Sequence, residues 1–316
     1  MAMTVLPATD SLPAERRSAV TIGVYDGVHA GHRWLLRKLR HFADREGLPV
    51  AVVTFDPHPL WLLRPVAAPR MLTNIDQRLS LIEATGLVDY CMVVPFDDVV
   101  SRMSPEEFIR EVLVGKLNAG AVLVGQDFRF GHHRDGSVAD LQRFGAAYGF
   151  SAHGLPLLPV AAVRAGSFCS STYIRQLIAK GDLAGAATLL GRPHEVVGRV
   201  IGTSRPTAGR GVPTVVVRVG GDVSVPAEGS YAGSVVTPDG RQRRAGISVR
   251  RGPVPESVLL DAHVVGDVGQ LMDETVRVRL NRRLWARGKD ELFEKMVRAD
   301  AAENESSAAG GWAAMR

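Results

Sequence analysis

The chain has 316 residues, of which 46% are hydrophobic and 22% charged, with a net charge of +5 and a pI near 9.5. This length predicts two domains, because a single hydrophobic core rarely grows so large. The two cysteines, Cys91 and Cys169, stand far apart, which argues against a disulfide framework and a structural zinc site. We find no apolar run of membrane length and no signal peptide, so we expect a cytoplasmic protein without a membrane partner.

The basic excess fits a protein that handles phosphates, and it would also fit a nucleic-acid binder. The arginines and lysines are spread along the chain and form no basic run. We therefore expect small-molecule substrates and regard a nucleic-acid partner as the weaker interpretation.

The first half of the chain alternates strands and helices after residues 1–18, which we interpret as a flexible arm. Short apolar runs predict strands at 20–24, 50–55, 90–96 and 121–124. Trp34, Leu36 and Leu39 recur at helical spacing, and Ser104 and Ser137 can begin further helices. This order predicts an α/β domain over 19–192 with a doubly wound parallel sheet. Its ligands should bind in the loops after Ile22, Phe55 and Val124.

The pattern changes after residue 190 to short segments rich in Val, Gly and Pro. We predict strands from residue 196 onward and at 215–219, 231–236, 244–249, 258–264 and 276–280. Closely spaced strands of this kind indicate a small antiparallel β-barrel, which we place at 193–300. A helix is predicted at about 289–297, and the Ala/Ser/Gly-rich tail at 301–316 is predicted to be disordered.

The stretch 23–32, Gly-Val-Tyr-Asp-Gly-Val-His-Ala-Gly-His, follows the first predicted strand and begins the first helix. Its glycines allow a close approach of the backbone, and the amides at a helix start attract phosphate. His29 and His32 lie three residues apart, with Gly31 between them, and can face the same phosphate. A plain strand–helix turn with incidental histidines is the alternative, and a lone motif of this type would not exclude it.

This stretch resembles the signature of the FAD-synthetase branch of the HxGH nucleotidyltransferases. Four further segments resemble motifs of the prokaryotic bifunctional FAD synthetase family in the same order: Thr54-Phe55-Asp56-Pro57-His58-Pro59, the loop 124–136, Ser170-Ser171-Thr172-Tyr173-Ile174-Arg175, and the pair Gly181-Asp182 with Leu190-Gly191-Arg192-Pro193. The resemblance implies a nucleotidyltransferase domain followed by a riboflavin-kinase barrel.

The resemblance implies adenylyl transfer from ATP to FMN, giving FAD and pyrophosphate with Mg²⁺, and no metal site built from protein ligands alone. It implies three groups of residues. The catalytic residues would be His29, His32, Ser171, Thr172 and Arg175. The nucleotide-binding residues would be Gly23, Asp26, Gly27, Gly31 and Asp127, and the residues near the flavin would be Asp56, His58 and Phe128.

The sequence departs from the family pattern in both halves. Val24-Tyr25 replaces the usual Asn-Phe, which removes a polar side chain beside the nucleotide. In the kinase half, Thr203 and Thr207 replace glycines and Val216 replaces the Asn that would serve the metal and the phosphates. Thr214 and Glu256 remain as a kinase-like remnant, Glu256 at the position of the family's base. We therefore expect riboflavin-kinase activity to be weak or lost.

Four hypotheses follow from these patterns. The first is an FMN adenylyltransferase with a degenerate kinase barrel, and the second is a fully bifunctional enzyme. The third is a paralogue that adenylylates a flavin analogue or another phosphate ester. The fourth is a non-catalytic flavin- or nucleotide-binding protein. The complete set of phosphate-binding side chains argues against this fourth hypothesis.

Overall fold

The structure is a computed structural model that describes residues 2–13, 15–158, 168–204, 213–253, 257–266 and 268–284. It divides into two compact units. The first comprises Met1–Pro69 with Thr73–Ser171, and the second comprises Arg70–Leu72 with Thr172–Arg316. Across the described ranges, no helix is both long and apolar enough to span a membrane.

The first unit alternates strands and helices. In chain order its elements are β1 Thr4–Pro7, β2 Ser18–Ile22, α1 Ala30–Glu46, β3 Val50–Asp56, α2 Pro59–Leu63, α3 Ile75–Glu83, β4 Tyr90–Pro95, α4 Asp98–Arg102, α5 Pro105–Phe108, β5 Ala119–Gly125, α6 Val138–Tyr148 and β6 Ser151–Leu155.

The six strands form one parallel sheet in the order β1-β4-β3-β2-β5-β6. Successive residues of each strand point to opposite faces, so Val20 and Ile22 pack into one core while Ala19 packs into the other. Leu36 and Leu39 of α1 cover the second core, and Leu141 of α6 lies in the first. The predicted doubly wound sheet, with helices on both faces, is confirmed.

The order of the strands reverses at the neighbours β2 and β5. From β2 the chain continues through β3 to β4 on one side, and it returns to β5 and β6 on the other. The loops after β2 and β5 therefore leave the sheet in opposite directions, and a crevice forms where they separate. Open α/β sheets bind their ligands at such a switch point.

The predicted flexible arm at 1–18 contains an ordered strand. β1 pairs in parallel with Tyr90–Val93, and the side chains of Leu6 and Leu12 are buried. A strand of four residues is too short to show a hydrophobic period. Its partner lies far along the chain, so local sequence gives no signal of the pairing.

The helix predicted to begin at Ser104 carries the expected capping box. The Glu107 amide donates to Ser104 Oγ (3.2 Å), and the Ser104 amide donates to Glu107 Oε2 (2.7 Å). The helix then continues as a π-helix, Ile109–Val114, which buries Ile109 and Leu113. Propensity and capping fix where a helix starts, whereas its hydrogen-bond type is set by packing.

The second unit holds a barrel and two helices. Its elements are α7 Ser171–Lys180, α8 Leu183–Leu190, β7 His194–Ser204, β8 Thr214–Val219, β9 Gly229–Val236, β10 Gln242–Arg251, β11 Val258–Val264 and β12 Thr275–Leu284. The six strands close in the order β10-β11-β8-β7-β12-β9, and every pair is antiparallel. The predicted antiparallel barrel is confirmed, and closure leaves no free sheet edge.

The division between the units falls at Ser171/Thr172, so α7 and α8 belong to the same unit as the barrel. The sequence placed the domain boundary later, at 192/193, and that assignment stays a prediction. The predicted helix at 289–297 and the tail at 301–316 lie outside the described residues.

Candidate active site

A pocket of about 250 Å³ lies at the switch point of the parallel sheet. Gly23 and Tyr25, after β2, line one side, and Gly125 and Asp127, at the end of β5, line another. The remaining wall includes apolar side chains and a segment that precedes α7: Trp34, Leu35, Leu155, Pro156, Leu157, Leu158, Cys169, Ser170 and Ser171. The pocket therefore lies beside two of the three loops in which the sequence predicted ligand binding, those after Ile22 and Val124, and the loop after Phe55 does not line it.

The turn between β2 and α1 has an unusual backbone. Tyr25, Gly27 and Val28 all have positive φ, at 54°, 80° and 41°. A β-branched valine rarely adopts this conformation, and it persists only where the surroundings enforce it. Here the Val28 amide donates to Tyr25 O (3.0 Å), and the Val28 carbonyl accepts from Arg33 Nη1 (2.8 Å).

Asp26 and Thr73 stabilise this turn through buried hydrogen bonds. Asp26 Oδ1 accepts from the Thr73 amide (3.0 Å) and from the Thr73 hydroxyl (3.1 Å). The same hydroxyl accepts from the Gly27 amide (3.0 Å). Asp26 and Thr73 are both buried, and neither Asp26 nor Gly27 lines the pocket. These contacts support the loop that carries the histidines, so the predicted nucleotide contacts of Asp26 and Gly27 stay predictions.

The two histidines of the motif lie at the start of α1. His29 is the N-cap, and its Nδ1 accepts from the His32 amide (3.4 Å). Their rings stack with centroids 3.6 Å apart, and both line the pocket beside Gly31. Burial, with smaller contributions from the neighbouring His29, Arg33 and Arg78, holds the pKa of His32 well below its ordinary value. His32 is therefore neutral near pH 7, and its buried Nδ1 has no hydrogen-bond partner within the described ranges.

Asp127 and Ser171 line this pocket together with the histidines, and their predicted roles in nucleotide binding and catalysis stay predictions. Asp127 follows β5 directly, while Ser171 begins α7 and donates its hydroxyl to Asp26 O (2.9 Å). Thr172 and Arg175 belong to the second unit, where Arg175 Nε donates to Arg70 O (2.7 Å). Their predicted contacts with the phosphates stay predictions.

The three residues predicted near the flavin do not line this pocket. His58 caps α2, with Nδ1 accepting from the Leu60 amide (3.0 Å). Phe128 stacks on Phe130 with ring centroids 5.6 Å apart. Asp56 ends β3 at the carboxyl edge of the sheet. Their flavin contacts therefore also stay predictions.

Several residues of this region gave no signal in the sequence. Arg78 of α3 looks like a surface charge, yet it is 1% exposed. Its Nη1 donates to Phe55 O (2.8 Å) and to Thr54 Oγ1 (3.4 Å). Burial lowers the pKa of Arg78, and the carboxylates of Asp26 and Asp56 oppose that shift. Arg78 thus links the loops after β2 and β3 electrostatically.

Tyr25 has a structural role that the sequence did not indicate. It stands where the family has Phe, and its ring is buried beside His32, with the centroids 4.8 Å apart. The added hydroxyl donates to Thr21 Oγ1 (2.9 Å) inside the core. Burial raises the pKa of this phenol, which therefore stays protonated. The substitution retains the ring and satisfies its polar atom.

Of the kinase-like remnant, Thr214 lies on β8, on the same face as Val216. Val215, Val217 and Val219 are buried, whereas Thr214 and Val216 are less so. Residues two apart on a strand share a face. Thr214 pairs with His263 of β11, whose Nδ1 lies 2.9 Å from the Thr214 hydroxyl, and Val216 pairs with Asp261. Glu256 lies outside the described residues.

The carboxylate of Asp261 is bound by an arginine of the neighbouring barrel strand β10. It accepts two hydrogen bonds from Arg250 of β10, from Nε at 2.6 Å and from Nη2 at 3.1 Å. Val216 is therefore paired across the strands with Asp261, whose carboxylate is already bound by the guanidinium of Arg250.

Comparison with known families agrees with this architecture. The FAD synthetase family model matches residues 11–168, and the riboflavin kinase model matches residues 190–304. In overall structure the chain is similar to a macrolide-efflux protein from Streptococcus pneumoniae, with a TM-score of 0.75, 24% identity and coverage of 96% of this chain and 98% of that one. At this identity the likeness supports the fold alone.

Curated proteins of one description match most of the chain. A bifunctional riboflavin kinase/FMN adenylyltransferase of Escherichia coli (strain K12) is 38% identical over 217 residues, which cover 69% of this chain and 67% of that protein. The protein of the same description from Pseudomonas fluorescens is 32% identical over 275 residues, 86% of each chain. With both family models matched in order, the chain belongs to the bifunctional riboflavin kinase/FMN adenylyltransferase family.

Proposed function

We propose that this protein is an FMN adenylyltransferase that makes FAD and pyrophosphate from FMN and ATP. The observation that carries the proposal is the pocket at the β2/β5 switch point, where His29 and His32 at the start of α1 meet Asp127 and Ser171. The curated relatives are named for the same activity.

In the proposed reaction, a phosphate oxygen of FMN attacks the α-phosphorus of ATP. The bond from that phosphorus to the bridging oxygen of the β-phosphate breaks, and pyrophosphate leaves. A phosphomonoester is already largely a dianion near pH 7, because its second pKa is about 6, so no general base is needed. The protein must align two anions and stabilise the charge that builds between them.

The neutral imidazole of His32 suits this task as a hydrogen-bond donor. His32 is held neutral by its burial. A neutral donor can stabilise a phosphoryl oxygen without a large desolvation cost on substrate binding. The Asp26–Thr73 contacts and the strained turn hold His29 and His32 in place before substrate arrives. By resemblance to the family, Ser171, Thr172 and Arg175 would also bind the phosphates.

The donor set of the pocket fits Mg²⁺ bound mainly through substrate. Among the described residues, no group of three or more His, Cys, Asp or Glu could hold a metal ion. Mg²⁺ in nucleotide enzymes needs only one or two protein carboxylates, with phosphates and water completing its shell. Asp127 is the acidic side chain of this pocket and would supply that oxygen. When bound, the ion would neutralise charge on the triphosphate.

The proposal is tested by incubating the protein with ATP, Mg²⁺ and FMN and separating the flavins by chromatography. We expect FAD from FMN, and a loss of roughly 10²-fold or more when both histidines are replaced by Asn. The absence of FAD would refute the proposal. It would favour a different phosphate ester as the substrate, or a binding role without catalysis.

We further propose that riboflavin-kinase activity is weak or lost. Val216 offers no oxygen to a metal ion, and the Thr214 hydroxyl beside it lies against His263. The second candidate is a fully bifunctional enzyme, which the riboflavin kinase match across 190–304 favours.

Riboflavin in place of FMN separates these two candidates. The first predicts no FMN from riboflavin and ATP, with a gain when Val216→Asn supplies an amide oxygen. Formation of FMN by the wild-type protein at rates comparable to FAD synthesis would establish the second.

A further inference from the structure

The segment before α7 brings a thiol to the start of α1. Cys169 is 6% exposed, and its Sγ lies 3.5 Å from His29 Nδ1. The backbone amides of Gly31 and Ala30 lower the pKa of the same thiol. The thiol therefore contacts the N-cap side chain at the start of the helix.

These contacts determine which nitrogen of His29 is an acceptor. The His32 amide donates to His29 Nδ1 (3.4 Å), and a backbone N–H can only donate. At 3.4 Å this bond is long, so it favours a lone pair on Nδ1 and leaves the tautomer dependent on the second contact, with the thiol. Because Nδ1 is the acceptor for the His32 amide, the S–H of Cys169 is the group that donates across the 3.5 Å contact with the same nitrogen. Both contacts favour the neutral imidazole whose proton is on Nε2.

We propose that Cys169 is a positioning residue that holds His29 in the Nε2–H tautomer, so that this nitrogen donates to a phosphoryl oxygen of ATP. The role rests on the proposed adenylyl transfer. It requires no charge on the thiol and no covalent step.

The surroundings of Cys169 keep its hydrogen in place. Burial raises the pKa of this thiol, although the amides of Gly31 and Ala30 and the charge of Arg33 oppose that shift. The protonated thiol is thus the form present near pH 7, and it can donate.

Gly31 makes the contact possible. A Cβ at this position would lie 3.1 Å from Cys169 O and 3.1 Å from the His29 ring. The lack of a side chain at Gly31 therefore leaves room for the Cys169 backbone and the His29 ring, as well as for a ligand.

The test compares Cys169→Val, which fills the space without a donor, with Cys169→Ser, which keeps one, and with Cys169→Ala as a second variant lacking the donor. Imidazole ¹⁵N spectra of the substrate-free protein report the tautomer, and His29→Asn assigns the signals. We expect a pyridine-type Nδ1 and a pyrrole-type Nε2 in the wild type and in Cys169→Ser. In Cys169→Val and Cys169→Ala, both signals should move toward averaged positions.

The kinetic expectation is a fall in kcat of roughly 2- to 10-fold in Cys169→Val, the effect of one lost neutral hydrogen bond. The KM for FMN should not change, and Cys169→Ser should restore kcat. Cys91→Val is the matched control, because Cys91 lies in the core strand β4 and does not line the pocket. It should leave the His29 signals unchanged.

A pyrrole-type Nδ1 in the wild type would overturn the proposal. So would an unchanged tautomer in Cys169→Val, or an equal shift of the His29 signals in Cys91→Val. The spectra need no substrate, so a wild-type protein that makes no FAD would refute the adenylyl-transfer proposal while the tautomer comparison still decides the role of Cys169.

Discussion

Thr73 gives a direct test of how the phosphate-binding turn is held. Its hydroxyl donates to Asp26 Oδ1 (3.1 Å) and accepts from the Gly27 amide (3.0 Å), and all three groups are buried. Thr73→Val replaces the hydroxyl with a methyl group of similar size and removes both bonds. We expect the first unit to lose stability and FAD synthesis to slow, because the turn that places His29 loses two of its constraints.

The magnitude follows from the groups involved. A hydrogen bond to an ionised carboxylate contributes about 1.5–3 kcal/mol, and a buried amide that loses a partner costs about 1–3 kcal/mol. The added methyl group recovers about 1 kcal/mol through its burial. The net expectation is a loss of roughly 2–5 kcal/mol in the free energy of unfolding of the first unit.

Urea denaturation measures this loss. Trp34 lines the pocket in the first unit, so its fluorescence reports this unit in a background where the other tryptophans are phenylalanine. Thr73→Ser is the control, because it keeps the hydroxyl and loses only a methyl group, at a cost of about 1 kcal/mol. If Thr73→Val were no less stable than Thr73→Ser, the two hydrogen bonds would not support the turn and the reasoning would fail.

Three further predictions concern charge. The pKa of His32 is lowered in the folded protein. As the pH falls below about 6.5, the unfolded chain therefore binds a proton at His32 before the folded protein does. The free energy of unfolding should decrease by up to about 1.4 kcal/mol per pH unit. Urea midpoints between pH 5 and 7 should show this slope reduced in His32→Phe. Asp127→Asn should raise the Mg²⁺ concentration for half-maximal FAD synthesis on the order of 10-fold, as read from a Mg²⁺ titration at fixed ATP. Arg78→Met should destabilise the first unit by about 3–5 kcal/mol in urea, because it removes the cation beside Asp26 and Asp56.

Each of these has an outcome that contradicts it. An equal pH slope in wild type and His32→Phe would mean that His32 titrates normally. An unchanged Mg²⁺ titration curve in Asp127→Asn would remove that carboxylate from the metal site. A fully stable Arg78→Met would show that the neighbouring carboxylates need no buried cation.

Local patterns predicted the parts of the molecule that depend on neighbours in the chain. The spacing of His29 and His32 after a strand predicted their place at a helix start, because the turn, the cap and the helix are contiguous. The short Val-rich run at 215–219, closely followed by further runs of this kind, likewise predicted a barrel strand. In each case the physical cause lies within about ten residues.

Other features depend on partners that are distant in sequence, and their local sequence therefore gave no signal. β1 is ordered because it pairs with β4 across more than eighty residues of chain. Arg78 is buried because the fold places carboxylates from two different loops around it. Cys169 meets His29 across 140 positions. The sequence marks such residues only as one charge among many or as one of two thiols.

The two faces of β8 separate the fold of the barrel from its proposed loss of activity. Val215, Val217 and Val219 form the buried face of this strand at essentially zero exposure and contribute to the barrel core. Thr214 and Val216, which the resemblance assigns to the kinase chemistry, lie on the opposite face. Val216 offers no oxygen ligand on that face, and it is not one of the three buried valines. We therefore propose that the barrel keeps its six strands while riboflavin-kinase activity is weak or lost, and a gain of that activity in Val216→Asn would support this proposal.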